Sequence, residues 1–209
     1  MKLYFSEGAC SMASHIALNE AGVKYTPVPM SHDKGDFNTP QFLGLNPVGA
    51  VPVLELDNGK VLTEGSAIME YIASQNPQAN LTPKFDTFEY FQFRKWMNFI
   101  ATELHKGFSP LWTAASMTKN EEAQNEIKEF TINNLMEKFE ILDHALSKNN
   151  YLCGSEYTVA DGYLFTIMSW CPYTKVDYSK HKYLAAYVAR IGERPAVLKT
   201  IKLEESLCN

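Results

Sequence analysis

The chain changes character once, near residue 80, and that single change limits its fold more than any other feature of the sequence. Before it, short apolar runs alternate with helical stretches, the pattern of a mixed sheet with crossover helices. After it, everything reads as helix. Leu3-Tyr4-Phe5 reads as a short strand and 11–21 as a helix that Gly22 stops. Val23 to Met30 reads as a second strand, irregular or at an edge because Pro27 and Pro29 lack the amide a central strand needs. Val51 to Leu56, Asp57-Asn58-Gly59 and Lys60-Val61-Leu62 spell strand, turn, strand, with Asn-Gly the strongest short hairpin signal. SAIMEYIA, 66–73, closes the unit as a helix. The stretch from Asn76 to Asp86 carries Pro77 and Pro83 without an apolar period, as a linker does. Beyond it Phe93, Met97, Ile100 and Leu104, then Met136, Phe139, Leu142 and Leu146, recur at helical steps. Thr158-Val159-Ala160-Asp161 has capping-box spacing before an apolar helix. The expected class is therefore α/β plus all-α: a first domain over 1–78, a linker over 79–86 and an all-helical domain over 87–209.

With 209 residues the chain can bury a core without disulfides or a metal. Nineteen basic against twenty-four acidic residues, net −5 and no Lys/Arg cluster, argue against a nucleic-acid partner. No apolar run reaches the roughly 20 residues that span a bilayer, and the start MKLYFSE turns polar too early for a secretory signal. A cytoplasmic protein away from membranes is expected. Cys10, Cys153, Cys171 and Cys208 match no zinc spacing and no compact disulfide framework, so no metal is expected and each cysteine is read singly.

Cys10 falls between a strand and a helix, where unpaired amides and the positive dipole end favour a thiolate. An ordinary thiol is only about 3% ionised at pH 7; lowering its pKa by two units, about 2.7 kcal/mol, makes it mostly thiolate. The competing reading is a small buried hydrophobe. Ala13 stands where a Cys-x-x-Cys motif would place a resolving thiol, which disfavours dithiol cycling and leaves one-thiol chemistry open. Val51-Pro52 is either an ordinary strand start or, if cis, a place where the Val51 amide and carbonyl turn toward a ligand. Glu64-Gly65-Ser66 opens a helix and serves either as plain capping or as a holder of a carboxylate and an ammonium. Asn98 and His105, seven residues apart, are expected to share a helix face, with Lys106 beside them. The aromatics Phe85, Phe88, Tyr90, Phe91, Phe93, Trp96 and Phe99 are read as core and subunit contact.

Taken together these segments resemble the cytosolic glutathione transferases, and among them the bacterial beta class. The resemblance spans nearly the whole chain. It rests on Gly8-Ala9-Cys10-Ser11 with Ala13-Ser14-His15-Ile16, on Asn46-Pro47, Gly49 and Val51-Pro52, and on Leu62-Thr63-Glu64-Gly65. It continues through Ala101 to Phe108 and Tyr157 to Asp161. It implies a thioredoxin-like N-terminal domain, a helical C-terminal domain, a homodimer, and glutathione as co-substrate. Carried over residue by residue, Cys10 contacts the glutathione sulfur and forms a mixed disulfide with it, and His105 approaches the same sulfur. Ala9 lies beside Cys10, Val51 pairs with the cysteinyl backbone before a cis-Pro52, and Glu64 and Gly65 anchor the γ-glutamyl end. Lys34, Asn98 and Lys106 are weaker glutathione contacts, and Glu103 reaches across the dimer.

Thr158 and Asp161 match a folding-related capping box. Departures are Val48 and Ala50, where relatives carry longer polar side chains, the poorly aligning 31–41, and Gly162, which denies Tyr157 its staple partner. The implied activity is conjugation of glutathione to apolar electrophiles, with Phe108, Leu111, Trp112 and Trp170 lining their pocket, alongside Cys10-dependent disulfide or peroxide chemistry. The alternatives are a non-catalytic ligand carrier or regulatory module, and a dithiol reductant.

Overall fold

In the computed structural model, residues 1–208 are described, and they divide into two compact units. The first comprises Met1–Pro83 and the chain from Gly192 onward. Its sheet has the order β2-β1-β3-β4, from β1 (Lys2–Phe5), β2 (Thr26–Pro29), β3 (Val53–Glu55) and β4 (Val61–Thr63). β2 is parallel to β1, while β3 is antiparallel to both β1 and β4. Edge placement explains how β2 tolerates Pro27 and Pro29. The Asn58-Gly59 turn sits between β3 and β4, with Gly59 at φ +79°.

Period-two alternation sorts the side chains of the sheet. Tyr4 and Val53 face one side, where Met30, Phe37 and Phe42 complete a buried cluster, Phe42 belonging to α2 (Pro40–Leu45). Leu3, Phe5 and Leu54, all fully buried, alternate to the other side. Packed together in the same unit are α1 (Ser11–Glu20) and α3 (Gly65–Gln75). This is the thioredoxin-like arrangement. The loop 46–50 is pinned before it enters β3: Asn46 Nδ2 donates to the Ala50 carbonyl at 2.7 Å and its Oδ1 accepts from the Val48 amide at 3.1 Å.

The second unit, Lys84–Ile191, is helical. It holds α4 (Phe88–Phe99), a π-helical segment (Ile100–His105), α5 (Lys106–Met117), α6 (Glu121–Leu146), α7 (Val159–Met168), the short α8 (Cys171–Thr174) and α9 (Lys182–Gly192), whose last residue lies beyond the unit. All ten residues of α7 are buried, the polar Asp161 and Thr166 among them. Its capping box closes at Thr158, and Asp161 is the hub of the buried polar contacts there. Tyr157, without a staple partner at Gly162, packs edge-on against Tyr151 at 6.0 Å.

The last helix departs from the expected layout. Sequence alone ran the helical domain on to 209, whereas α10 (Pro195–Cys208) packs along α1 in the first unit. Polar pairs hold it there: Arg194 grips Glu20 through two hydrogen bonds of 2.6 and 2.9 Å, and Asn19 donates to Thr200 at 2.8 Å. Among the described residues no helix is long and apolar enough to cross a membrane, and no group of three side chains is arranged to hold a metal ion.

Candidate active site

Cys10 is the N-cap residue of α1, at the end of a loop that is tightly bonded to itself. Ser11 Oγ accepts from the Ser6 amide at 3.1 Å and donates to the Ser6 carbonyl at 3.2 Å, and Gly8 takes φ +65°. The sulfur makes no capping hydrogen bond to α1, although Cys10 stands at the helix start as the sequence reading placed it. Instead the thiol donates to the Val51 carbonyl at 3.4 Å. The Val51-Pro52 bond is cis, which settles the isomer the sequence left open. Cys10 and Val51 are both half-buried, so neither is sealed from a ligand.

Pro52 in turn approaches the start of α3. A Cβ built on Gly65 would stand 3.6 Å from Pro52 Cγ and 4.0 Å from Ser14 Oγ. That hydroxyl is buried and has no hydrogen-bond partner among the described residues. Glu64, the N-cap of α3, is exposed and holds φ +66°, a left-handed backbone for a residue with a Cβ. Of the sequence-derived candidates, Ala9, Cys10, Val51, Pro52, Glu64 and Gly65 thus lie on elements of one unit, with Cys10–Val51 and Pro52–Gly65 in direct approach. Lys34 is exposed in the segment before α2.

In the helical unit, His105 ends the π-helical segment. A π-helix takes more residues per turn than an α-helix, which breaks the face that Asn98 and His105 were expected to share. Asn98 is exposed, while His105 is turned inward. Its Nδ1 lies 2.8 Å from Tyr163 Oη, and its ring meets Trp170 edge-on at 5.2 Å. Burial first, then the neighbouring Lys106 ammonium, push the His105 pKa down to about 4. The imidazole is therefore neutral at pH 7 and acts through hydrogen bonds rather than charge.

The depressed value has a testable sign. The unfolded chain binds the proton more readily, so the contribution is complete above about pH 6.5 and is lost as pH falls toward 4. Relative to a His105→Gln variant, the wild type should lose roughly 2–3 kcal/mol of stability across that window in urea titrations. Parallel stability curves would contradict the depressed value.

Trp170 also meets Trp112 at 5.0 Å and Phe108 at 5.8 Å, and Phe108 stacks on Trp112 at 6.0 Å, so three of the four aromatic and aliphatic candidates form one cluster. Trp112 leaves half its surface exposed. Lys106 and Glu103 are exposed. The Glu103 carboxylate lies 3.6 Å from Lys138 Nζ and 3.3 Å from Thr102 Oγ1.

Sequence reasoning missed Tyr163 and Glu204. The signal for the first was a phenol inside an otherwise apolar helix, which needs a partner when buried. For the second there was no local signal: Glu204 meets buried His15 at 2.8 Å across 189 residues of chain.

The comparisons agree with this geometry. The N-terminal domain family of glutathione S-transferase matches residues 1–74, and the C-terminal domain family matches 103–202. Glutathione S-transferase GstA of Escherichia coli O157:H7 is 37% identical over 205 residues, 98% of each chain. A bacterial beta class glutathione S-transferase from Sphingomonas chungbukensis superposes with a TM-score of 0.86 at 38% identity, covering 98% of both chains. A sphingomonad glutathione S-transferase complexed with glutathione gives 0.87 at 34% identity, covering 98% of this chain and 99% of its own. With a thioredoxin-like unit carrying Cys10 against a cis-Pro loop, and both halves matched along their length, the chain belongs to the glutathione S-transferases and stands with the bacterial beta class.

Proposed function

We propose that the chain binds glutathione on its thioredoxin-like unit and conjugates it to apolar electrophiles, with disulfide exchange at Cys10 as a companion activity. The observation that carries the reading is the Cys10 thiol donating to the carbonyl of Val51 ahead of cis-Pro52. It puts a soft nucleophile beside backbone groups that an extended tripeptide can pair with. Ala9, Cys10, Val51, Pro52, Glu64 and Gly65 hold the tripeptide, the carboxylate of Glu64 taking its ammonium. The neutral imidazole of His105 donates or accepts a hydrogen bond in the reaction. Lys34, Asn98, Glu103 and Lys106 are left to secondary contacts. The aromatic cluster of Phe108, Trp112 and Trp170 offers an apolar co-substrate a partly exposed platform.

The chemical gain is direct. Free glutathione is mostly thiol at neutral pH, so lowering its pKa by about two units multiplies the reactive anion more than tenfold.

The backbone of Glu64 supports a binding role. A non-glycine residue held at positive φ costs on the order of 1–3 kcal/mol, and such positions gather at ligand sites. A Glu64→Gly variant should therefore be more stable, by up to about 1 kcal/mol, while its affinity for glutathione falls at least about tenfold. Calorimetric titration beside thermal denaturation checks both signs. Unchanged affinity would remove Glu64 from the site.

The exposed rings of Phe88 and Phe91, one turn apart on α4, support a homodimer, which sedimentation velocity reads directly. A cytoplasmic location follows from the same reading, since glutathione is held reduced there.

A further inference from the structure

The C-terminal helix α10 leads back to the loop that carries Cys10. Its tethers step down α1 as it advances: Arg194 with Glu20, Thr200 with Asn19, Glu204 with His15. The last step passes α1 altogether, because Glu204 Oε2 accepts from the amide of Gly8 at 3.1 Å. The two helices therefore run antiparallel, and the final turn of α10 falls on the Ser6–Cys10 loop. That turn ends in Cys208, four residues after Glu204 and so on the same helix face. The backbone and carboxylate of Glu7, three residues before Cys10, lie close enough to act on the Cys208 thiol. Cys208 is exposed and Cys10 half-buried, and both belong to the first unit; Cys153 and Cys171 belong to the other.

We propose that Cys208 is a resolving thiol for Cys10, closing an intramolecular disulfide once Cys10 carries glutathione. The proposal rests on the reading that Cys10 exchanges disulfides with glutathione. The missing thiol of the Cys-x-x-Cys pattern is then supplied from the far end of the chain.

The oxidant is glutathione disulfide. The Cys10 thiolate attacks one of its sulfurs, the disulfide breaks, and one glutathione leaves as thiolate. Cys208 gives its proton to solvent and attacks the Cys10 sulfur. The bond to glutathione breaks and a second thiolate leaves. In sum one glutathione disulfide is reduced to two glutathiones, and two protein thiols become one disulfide.

A disulfide needs Cα atoms about 4.4–6.8 Å apart, so Cys208 must move toward Cys10. Unwinding the last turn of α10 provides the reach. The final carbonyls of a helix have no intrahelical donors to lose, and three freed residues span up to about 10 Å. In the folded turn, burial and then the Glu7 carboxylate push the Cys208 thiol up. Unwinding withdraws the sulfur from both and restores ordinary reactivity. A tethered thiol also competes well with free glutathione, since its effective concentration is about millimolar or higher.

The test is to oxidise the reduced full-length protein with glutathione disulfide, block free thiols by alkylation, and map peptides without reduction. The wild type should give a Cys10–Cys208 linked pair migrating as a monomer. A Cys208→Ser variant should instead retain glutathione on Cys10, at about tenfold or more the wild-type level. Equal glutathione on Cys10 in the two proteins, with no linked pair, would overturn the role of Cys208 and leave that of Cys10 standing. No glutathione on Cys10 in either protein would overturn both. A pair linked between two molecules would overturn the intramolecular step.

Discussion

Replacing Cys10 by alanine should lower the rate of thiol–disulfide exchange with glutathionylated substrates by about a hundredfold or more, while conjugation of an apolar electrophile falls far less. The asymmetry follows from what each reaction needs. Exchange passes through a covalent bond to the protein sulfur, so deleting the nucleophile removes the step itself. Conjugation uses the sulfur of glutathione, and Cys10 contributes only through the neighbourhood it creates. Its thiol occupies the Val51 carbonyl at 3.4 Å, and the loop behind it is held by the Ser6–Ser11 pair whether or not the sulfur is present. Steady-state assays of both reactions on one preparation make the comparison. An alanine variant that kept exchange would exclude Cys10 as the exchanging thiol, and one that lost both equally would make it part of the glutathione-activating machinery.

Asp161→Ala should cost about 3–5 kcal/mol of stability in urea unfolding without changing kcat of the molecules that remain folded. The carboxylate is fully buried and accepts four hydrogen bonds: from the amides of Leu152 and Thr158 at 2.9 and 2.7 Å, the Thr158 hydroxyl at 3.0 Å and the Tyr187 hydroxyl at 2.7 Å. Truncation orphans all four donors in the middle of the helical unit. Asp161→Asn keeps two acceptor positions on one oxygen and should lose less. Burial and the adjacent carboxylate hold the Tyr187 hydroxyl protonated, so it stays a donor at any pH the fold survives. A loss below about 1 kcal/mol would show that water replaces the carboxylate.

How far the sequence foretold this molecule depended on the range of the interaction. The β3–β4 hairpin was legible because Asn58-Gly59 carries its turn chemistry locally. That β2 could not be a regular central strand was legible because two prolines exclude one, and the structure places it at the edge. The capping box at Thr158 was legible for the same reason. By contrast, α2 lies in the stretch 31–45, where no amphipathic period or family motif stood out, and only the Thr39 cap followed by Pro40 marks its start. The π-helical segment was invisible, and with it the broken phase between Asn98 and His105, because a wide turn has no compositional signature.

The placement of α10 was invisible too. Its contacts are salt bridges and hydrogen bonds across more than 170 residues of sequence, such as Glu20 with Arg194, and periodicity cannot choose between two partners that are both apolar. That miss bears on the site, since the residues nearest the Cys10 loop include the last turn of the chain's final helix. At the site itself, the identities of Cys10, Val51 and Glu64 came from the sequence, whereas the contact between Cys10 and the Val51 carbonyl required the structure.

The measurement that bears most directly on all of this is the structure of the protein soaked with reduced glutathione, with the separation of the Cys10 and glutathione sulfurs read from the map. The two sulfurs should lie within about 4 Å, the contact distance of non-bonded heavy atoms, with the cysteinyl backbone paired to Val51 and the γ-glutamyl end at Glu64. Glutathione ordered elsewhere, or bound with its sulfur turned away from Cys10, would contradict the assignment of this loop as the reacting centre.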